Sequence, residues 1–319
     1  MTHFEIDTNR RRFLQMTTAA ACLPGLIGLP KTLLINDPMR RPFQEPISRS
    51  GESNIQLGLA AYSFRSHFEF MKGKVQKPKN NKKLSMFEFI DYCATQNCAA
   101  ELTSYFFPPD ADDAYFLQIK RHAFLQGVPI AGTAIGNNFT LGRGERLNQE
   151  ISKAKKWIDN AALMGAPHIR FFAGTRQQLE SSPDNMKIAI ESLQHCVDYA
   201  AQKGIFVGVE NHGKLSADQV IQIVRGIKSD WFGVNLDTGN FISETPYADI
   251  EKCAPYAVNV QLKVKVKKSD GTVTKTNLKE LKRIFTESNY RGNIILEFEE
   301  ADPFGSIPQY MEKLRDTFE

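Results

Sequence analysis

From about Asn54 onward, short apolar runs alternate with longer stretches whose apolar residues recur at helical spacing. Eight runs read as strands: Ile55–Phe64, Ala99–Phe106, Pro129–Gly136, His168–Gly174, Ile205–Asn211, Trp231–Asp237, Tyr256–Val264 and Asn293–Glu299. Between them, Leu84–Asn97, Ala114–Gln126, Asn148–Met164, Met186–Lys203 and Ala217–Ile227 carry the helical period. Gly165 and Gly204 follow two of these stretches, as helix C-caps do. Strand alternating with helix eight times predicts an α/β fold, a parallel sheet closed into a (β/α)8 TIM barrel over residues 54–319. A doubly wound open sheet is the alternative. It would gather its polar residues at one switch point, whereas here they end at least five strands.

Strand residues of equal parity share a face. Glu210 therefore shares a face with His212, with Gly208 a layer below; Gln261 pairs with Lys263 above Asn259; Glu297 pairs with Glu299; and His168, Arg170 and Phe172 align. Glu210, Asp237, Gln261 and Glu297 end four successive strands at spacings of 24 to 36 residues. In such a barrel the strand C-termini carry the chemistry. Three carboxylates turned into one mouth repel each other unless a positive centre lies among them, and a divalent metal is the compact solution. Oxygen donors favour Mn²⁺ or Mg²⁺, with Co²⁺ and Zn²⁺ as further candidates. Arg170, Lys263 and His212 are candidate contacts to substrate hydroxyls or an anion, and His168, deeper in the barrel, reads as structural.

The bulk composition narrows the function without naming it. The 319 residues suffice for one large domain, and the formal charge of +4 is small for this length. No sustained basic stripe with interleaved aromatics points to nucleic acid. The lysine-rich run Lys72–Lys83 reads as a solvated loop. The five cysteines, Cys22, Cys93, Cys98, Cys196 and Cys253, show no zinc or redox spacing and read as buried thiols. At the N-terminus, NRRRFLQ (Asn9–Gln15) precedes a weakly apolar run that ends near Leu29. Paired arginines before such a run resemble a twin-arginine export signal, which gives a signal region over 1–36 and a periplasmic destination. The run is too short to span a bilayer, and Ala19–Cys22 makes a poor lipobox, so neither a membrane span nor a lipid anchor is expected. Residues 37–53 read as a Pro/Arg/Ser/Glu-rich linker.

VENHG, LDTGN, VQLKV and LEFEE in this order, with YSF, ELTSYF and GTAIGNNF ahead of them, resemble the sugar phosphate isomerase/epimerase family of xylose-isomerase-like TIM barrels. The resemblance places the metal ligands on Glu210, Asp237, Gln261 and Glu297. Glu101 in ELTSYF and Asn240 in LDTGN join His212, Lys263 and Arg170 as substrate contacts. Family members typically carry His at the positions of Gln261 and Asn240. The resemblance implies a divalent-metal-dependent sugar isomerase or epimerase, in which Glu210 and Glu297 move a proton beside a carbonyl through an enediolate. A keto-glycoside lyase or hydrolase on the same site, and a non-catalytic carbohydrate-binding barrel, are the alternatives. The expected partner is a small carbohydrate, and the sequence leaves homo-oligomerisation open.

Overall fold

The computed structural model describes residues 46–319, where the expected alternation closes on itself. The barrel strands are β1 (Asn54–Ala60), β2 (Ala99–Thr103), β3 (Ile130–Ala134), β4 (His168–Phe171), β5 (Phe206–Glu210), β6 (Phe232–Asp237), β7 (Ala257–Lys263) and β8 (Arg291–Glu297). All pair in parallel with their chain neighbours, and β1 pairs with both β2 and β8, which excludes the open sheet. Helices α1 (Met86–Thr95), α2 (Asp113–Leu125), α3 (Glu145–Met164), α4 (Asn185–Ala201), α5 (Ala217–Gly226), α6 (Pro246–Cys253), α7 (Leu278–Glu287) and α8 (Pro303–Phe318) follow the strands in turn. None of the helices among the described residues is long and apolar enough to cross a membrane.

Local chemistry sets the element ends. Ser85 caps α1 and Ser216 caps α5. Each hydroxyl accepts from the backbone three residues on, while the Glu88 or Gln219 side chain reaches back to the cap's own N–H. α3 stops at Gly165, which takes the left-handed conformation (φ 79°) that its lack of a Cβ makes cheap. Two strands are shorter than the apolar pattern suggests. After β1 and β2 the backbone tightens into single 3₁₀ turns, Ala61–Phe64 and Ser104–Phe106, whose aromatic residues still pack inward. The run Lys72–Lys83 forms a largely exposed loop, in which Lys79 Nζ donates to the Ala301 carbonyl at 3.1 Å. Cys93, Cys98, Cys196 and Cys253 are buried free thiols.

The barrel has two distinct interiors. Outward-facing strand residues such as Leu59, Val207, Val209, Val234, Val260 and Leu296 join the helices in one large apolar core. Inside the barrel the apolar part is small, made of Ala60, Ala99, Ala131 and Ile295. Gly208 and Glu210 alternate with Val207 and Val209, so they face inward, as strand parity requires. At the N-terminal end, residues of the expected linker are tied to the barrel: Ile47 N–H donates to the Pro255 carbonyl at 2.9 Å and the Ser53 hydroxyl to that of Tyr290 at 2.7 Å. The signal region 1–36 and the linker up to residue 45 lie outside the described residues.

Candidate active site

The mouth is built on the C-terminal ends of β4 to β8. Glu210, at the end of β5, is buried and meets Arg170 from β4, with Nε 2.8 Å from Oε2. Its other oxygen accepts from Asn240 Nδ2 at 2.8 Å and lies 3.2 Å from His212 Nδ1. Arg170 Nη1 also donates to the Ile135 carbonyl at 2.7 Å, which fixes the guanidinium from two sides. Phe172 sits between two of these groups. Arg170 Cζ lies 4.1 Å over its ring, and the His212 ring stacks on it at 4.2 Å. Burial alone would raise the Glu210 carboxyl, but the adjacent guanidinium, with His212 and Lys263, outweighs it and holds the group below its ordinary range.

Lys263, at the end of β7, is the second cation. Its ammonium stands 2.6 Å from Glu297 Oε1, 2.8 Å from Glu299 Oε2 and 3.7 Å from Asp237 Oδ2. The LDTGN turn makes room for it. A Cβ on Gly239 would lie 2.6 Å from Lys263 Cγ, and the Thr238 hydroxyl accepts from Lys263 N–H at 3.0 Å. Asn211 locks the adjacent strand ends, donating to the Asp237 carbonyl at 2.9 Å and accepting from Asp237 N–H at 2.8 Å. Burial raises the Glu297 carboxyl and the Glu210 charge reinforces this, against the pull of Lys263. Asp237 is pushed well up by burial, with Glu210 and Glu297 adding to the effect.

Below the mouth lies a polar layer. Gln261 donates to Glu101 Oε1 at 2.8 Å and accepts from Asn235 at 2.7 Å; Asn259 bridges Asn235 Oδ1 at 2.8 Å and Glu101 Oε2 at 3.3 Å. Glu101 is thus turned into the barrel interior with both oxygens hydrogen-bonded. Burial, then the Glu297 charge, push its carboxyl up to about 7. Still deeper, His168 fits between two glycines. A Cβ on Gly132 would lie 2.9 Å from its Nδ1, and one on Gly208 2.4 Å from its Nε2.

Of the residues expected from sequence, Glu210, Asp237, Glu297, Arg170, Lys263, His212 and Asn240 converge on the mouth, while Glu101 and Gln261 bond to each other beneath it. The carboxylates are held apart on Arg170 and Lys263, and among the described residues no three His, Cys, Asp or Glu side chains close on one point. The donor chemistry nevertheless fits a hard divalent ion. Every donor is oxygen, the carboxylates outnumber the two cations, and the buried Asp237 Oδ2 has no hydrogen-bond partner. Two tyrosines, in the YSF and ELTSYF segments, also stand beside the mouth cations. Tyr62 follows β1, with Lys263 Nζ 6.0 Å from its ring centre, and Tyr105 follows β2 beside Arg170. Both sit one turn past a strand end, where mouth residues are to be expected.

This barrel and mouth define a family. The model of the xylose isomerase-like TIM barrel family matches residues 87–317, and the chain belongs to that family. Solved structures share its fold at low identity. One is a D-psicose 3-epimerase studied in the presence of D-fructose: 16% identity, TM-score 0.60, covering 81% of this chain and 89% of that one. Another is a 3-keto-D-glucoside 4-epimerase from E. coli: 14% identity, TM-score 0.58, covering 82% and 100%. A third is a xylose isomerase-like TIM barrel protein from Mycobacterium smegmatis in complex with magnesium: 15% identity, TM-score 0.60, covering 82% and 96%. No curated protein sequence matches the chain.

Proposed function

We propose that the protein is a sugar isomerase or epimerase that moves a proton on a carbon beside a carbonyl. One observation carries the reading: two buried carboxylates, Glu210 on β5 and Glu297 on β8, face one mouth, each against a cation of the chain. Arg170 keeps Glu210 ionised and fit to accept a proton. Glu297 is raised and suited to hold one. Opposite starting protonation states are what a two-carboxylate shuttle needs, one group taking the proton and the other returning it. Lys263 and Arg170 are cations at the mouth, suited to stabilise negative charge on a substrate oxygen. His212, stacked on Phe172, and Asn240 hold Glu210 in place and offer polar contacts to hydroxyls.

Glu210, Asp237 and Glu297 would hold one divalent ion, Mg²⁺ or Mn²⁺, which when bound polarises the carbonyl as a Lewis acid. Asp237 Oδ2, which is buried and accepts no hydrogen bond, supports this assignment. The shared fold with two sugar epimerases supports carbohydrate as the substrate class.

The test is a screen of free ketoses and keto-glycosides in deuterated water. Deuterium is expected on the carbon beside the carbonyl, and Glu210→Gln should lower kcat by roughly 10² or more, the scale of a general-base contribution. Turnover that leaves the product free of solvent deuterium, with Glu210→Gln still active, would sink the shuttle.

A further inference from the structure

A second cavity, of about 590 Å³, lies beside the mouth, between the ends of β2 and β3 and the face of α3. That volume is within the usual range for small-molecule sites. Trp157, Phe107 and Tyr105 are among its lining residues, with the polar side chains of Ser104, Glu150 and Asn160. The Phe107 and Trp157 ring centres are 5.8 Å apart. Asn160 is only 5% exposed, and its buried Oδ1 has no hydrogen-bond partner. A buried amide oxygen without a partner is costly, and a ligand hydroxyl would satisfy it.

The cavity adjoins the mouth through shared residues. Ile135, on its wall, accepts from Arg170, the residue paired with Glu210. Tyr105, also on its wall, lies 6.3 Å from Tyr62, which in turn faces Lys263. Aromatic rings thus run from the mouth cation to the cavity. The cavity's lysines are already engaged. Lys72 sits 4.5 Å over the Tyr105 ring, Lys153 lies 3.7 Å from Glu150 and Lys156 3.4 Å from Asp113. That leaves the chemistry of a neutral ligand with one apolar face and several hydroxyls.

We propose that this cavity is a subsite for a second sugar ring, so that the substrate is a neutral glycoside of at least two rings, its reacting ring at the mouth. The proposal rests on the carbohydrate reading of the mouth and names the size and charge of its substrate.

Trp157 offers a direct readout, because the chain has two tryptophans and the other, Trp231, packs on Phe206 at 4.9 Å, at the opposite end of the barrel. Cellobiose and maltose are titrated against glucose and glucose 6-phosphate while tryptophan emission is followed. At least one disaccharide should change the emission saturably, at a concentration at least tenfold below that for glucose or its phosphate. Trp157→Phe should abolish the change, and Asn160→Ser should weaken disaccharide binding about tenfold while leaving glucose unaffected. If neither disaccharide acts, if the phosphate binds best, or if the change survives in Trp157→Phe, the subsite is refuted. The wild-type titration decides even if a variant misfolds. Because binding needs no turnover, saturable disaccharide binding alongside turnover of a ketose or keto-glycoside that leaves no solvent deuterium in the product would refute the proposed reaction and leave the subsite standing.

Discussion

His168 shows how a single residue is specified by its surroundings. It is buried, neither ring nitrogen has a hydrogen-bond partner, and burial together with Arg170 lowers its pKa to about 3 from 6.5. Its folded pKa lies below the unfolded one, so by linkage its stability contribution is present above about pH 6.5 and lost as pH falls toward about 3. Urea melts between pH 4 and 6.5 are expected to show a shallower loss of stability in His168→Asn than in the wild type. Equal slopes would mean that the ring charges without cost in the folded barrel. Parity in HIRF placed this histidine on the same face as Arg170, but its fit between Gly132 and Gly208 joins three strands and no local pattern could reveal it.

Among the elements, the strands read most clearly from sequence, because a period of two and an apolar run survive in a two-sided buried sheet. The ends of β1 and β2 did not, since aromatic residues fit a strand and a 3₁₀ turn equally well. The same limit hid the roles of Tyr62 and Tyr105, which depend on those turns. Gly208 in β5 tests how tightly the layers interlock. A Cβ there would meet His168 Nε2 at 2.4 Å and Asn235 N at 3.2 Å, and the backbone atom cannot yield as a flexible side chain would. Gly208→Ala should therefore cost about 1–3 kcal/mol, the usual scale of overpacking. The measurement is the denaturant midpoint; an unchanged midpoint would show that the interior has slack that these contacts do not suggest.

For the molecule as a whole, the sequence made the convergence of Glu210, Asp237 and Glu297 legible, because their spacing follows the βα repeat. It did not reveal how their charges are balanced, because the reach of a lysine or arginine side chain is set in three dimensions. Nor did it show that Gln261 turns down to Glu101, since an amide at a strand end reads the same whichever neighbour it bonds. Adding Mn²⁺ to chelator-treated protein should raise its melting temperature, by the equivalent of about 2.7 kcal/mol at a hundredfold excess over Kd. Asp237→Ala should show no rise. Wild-type melting that Mn²⁺ leaves unmoved would remove the ion from the proposal.

The two cations at the mouth have a bearing on biogenesis. Arg170 and Lys263 give the carboxylates internal counterions, so on the metal reading proposed above the ion would not be needed to balance their charge as the chain folds. On that reading maturation would take two steps, folding first and ion uptake afterwards, with the bound ion adding stability to a barrel already formed.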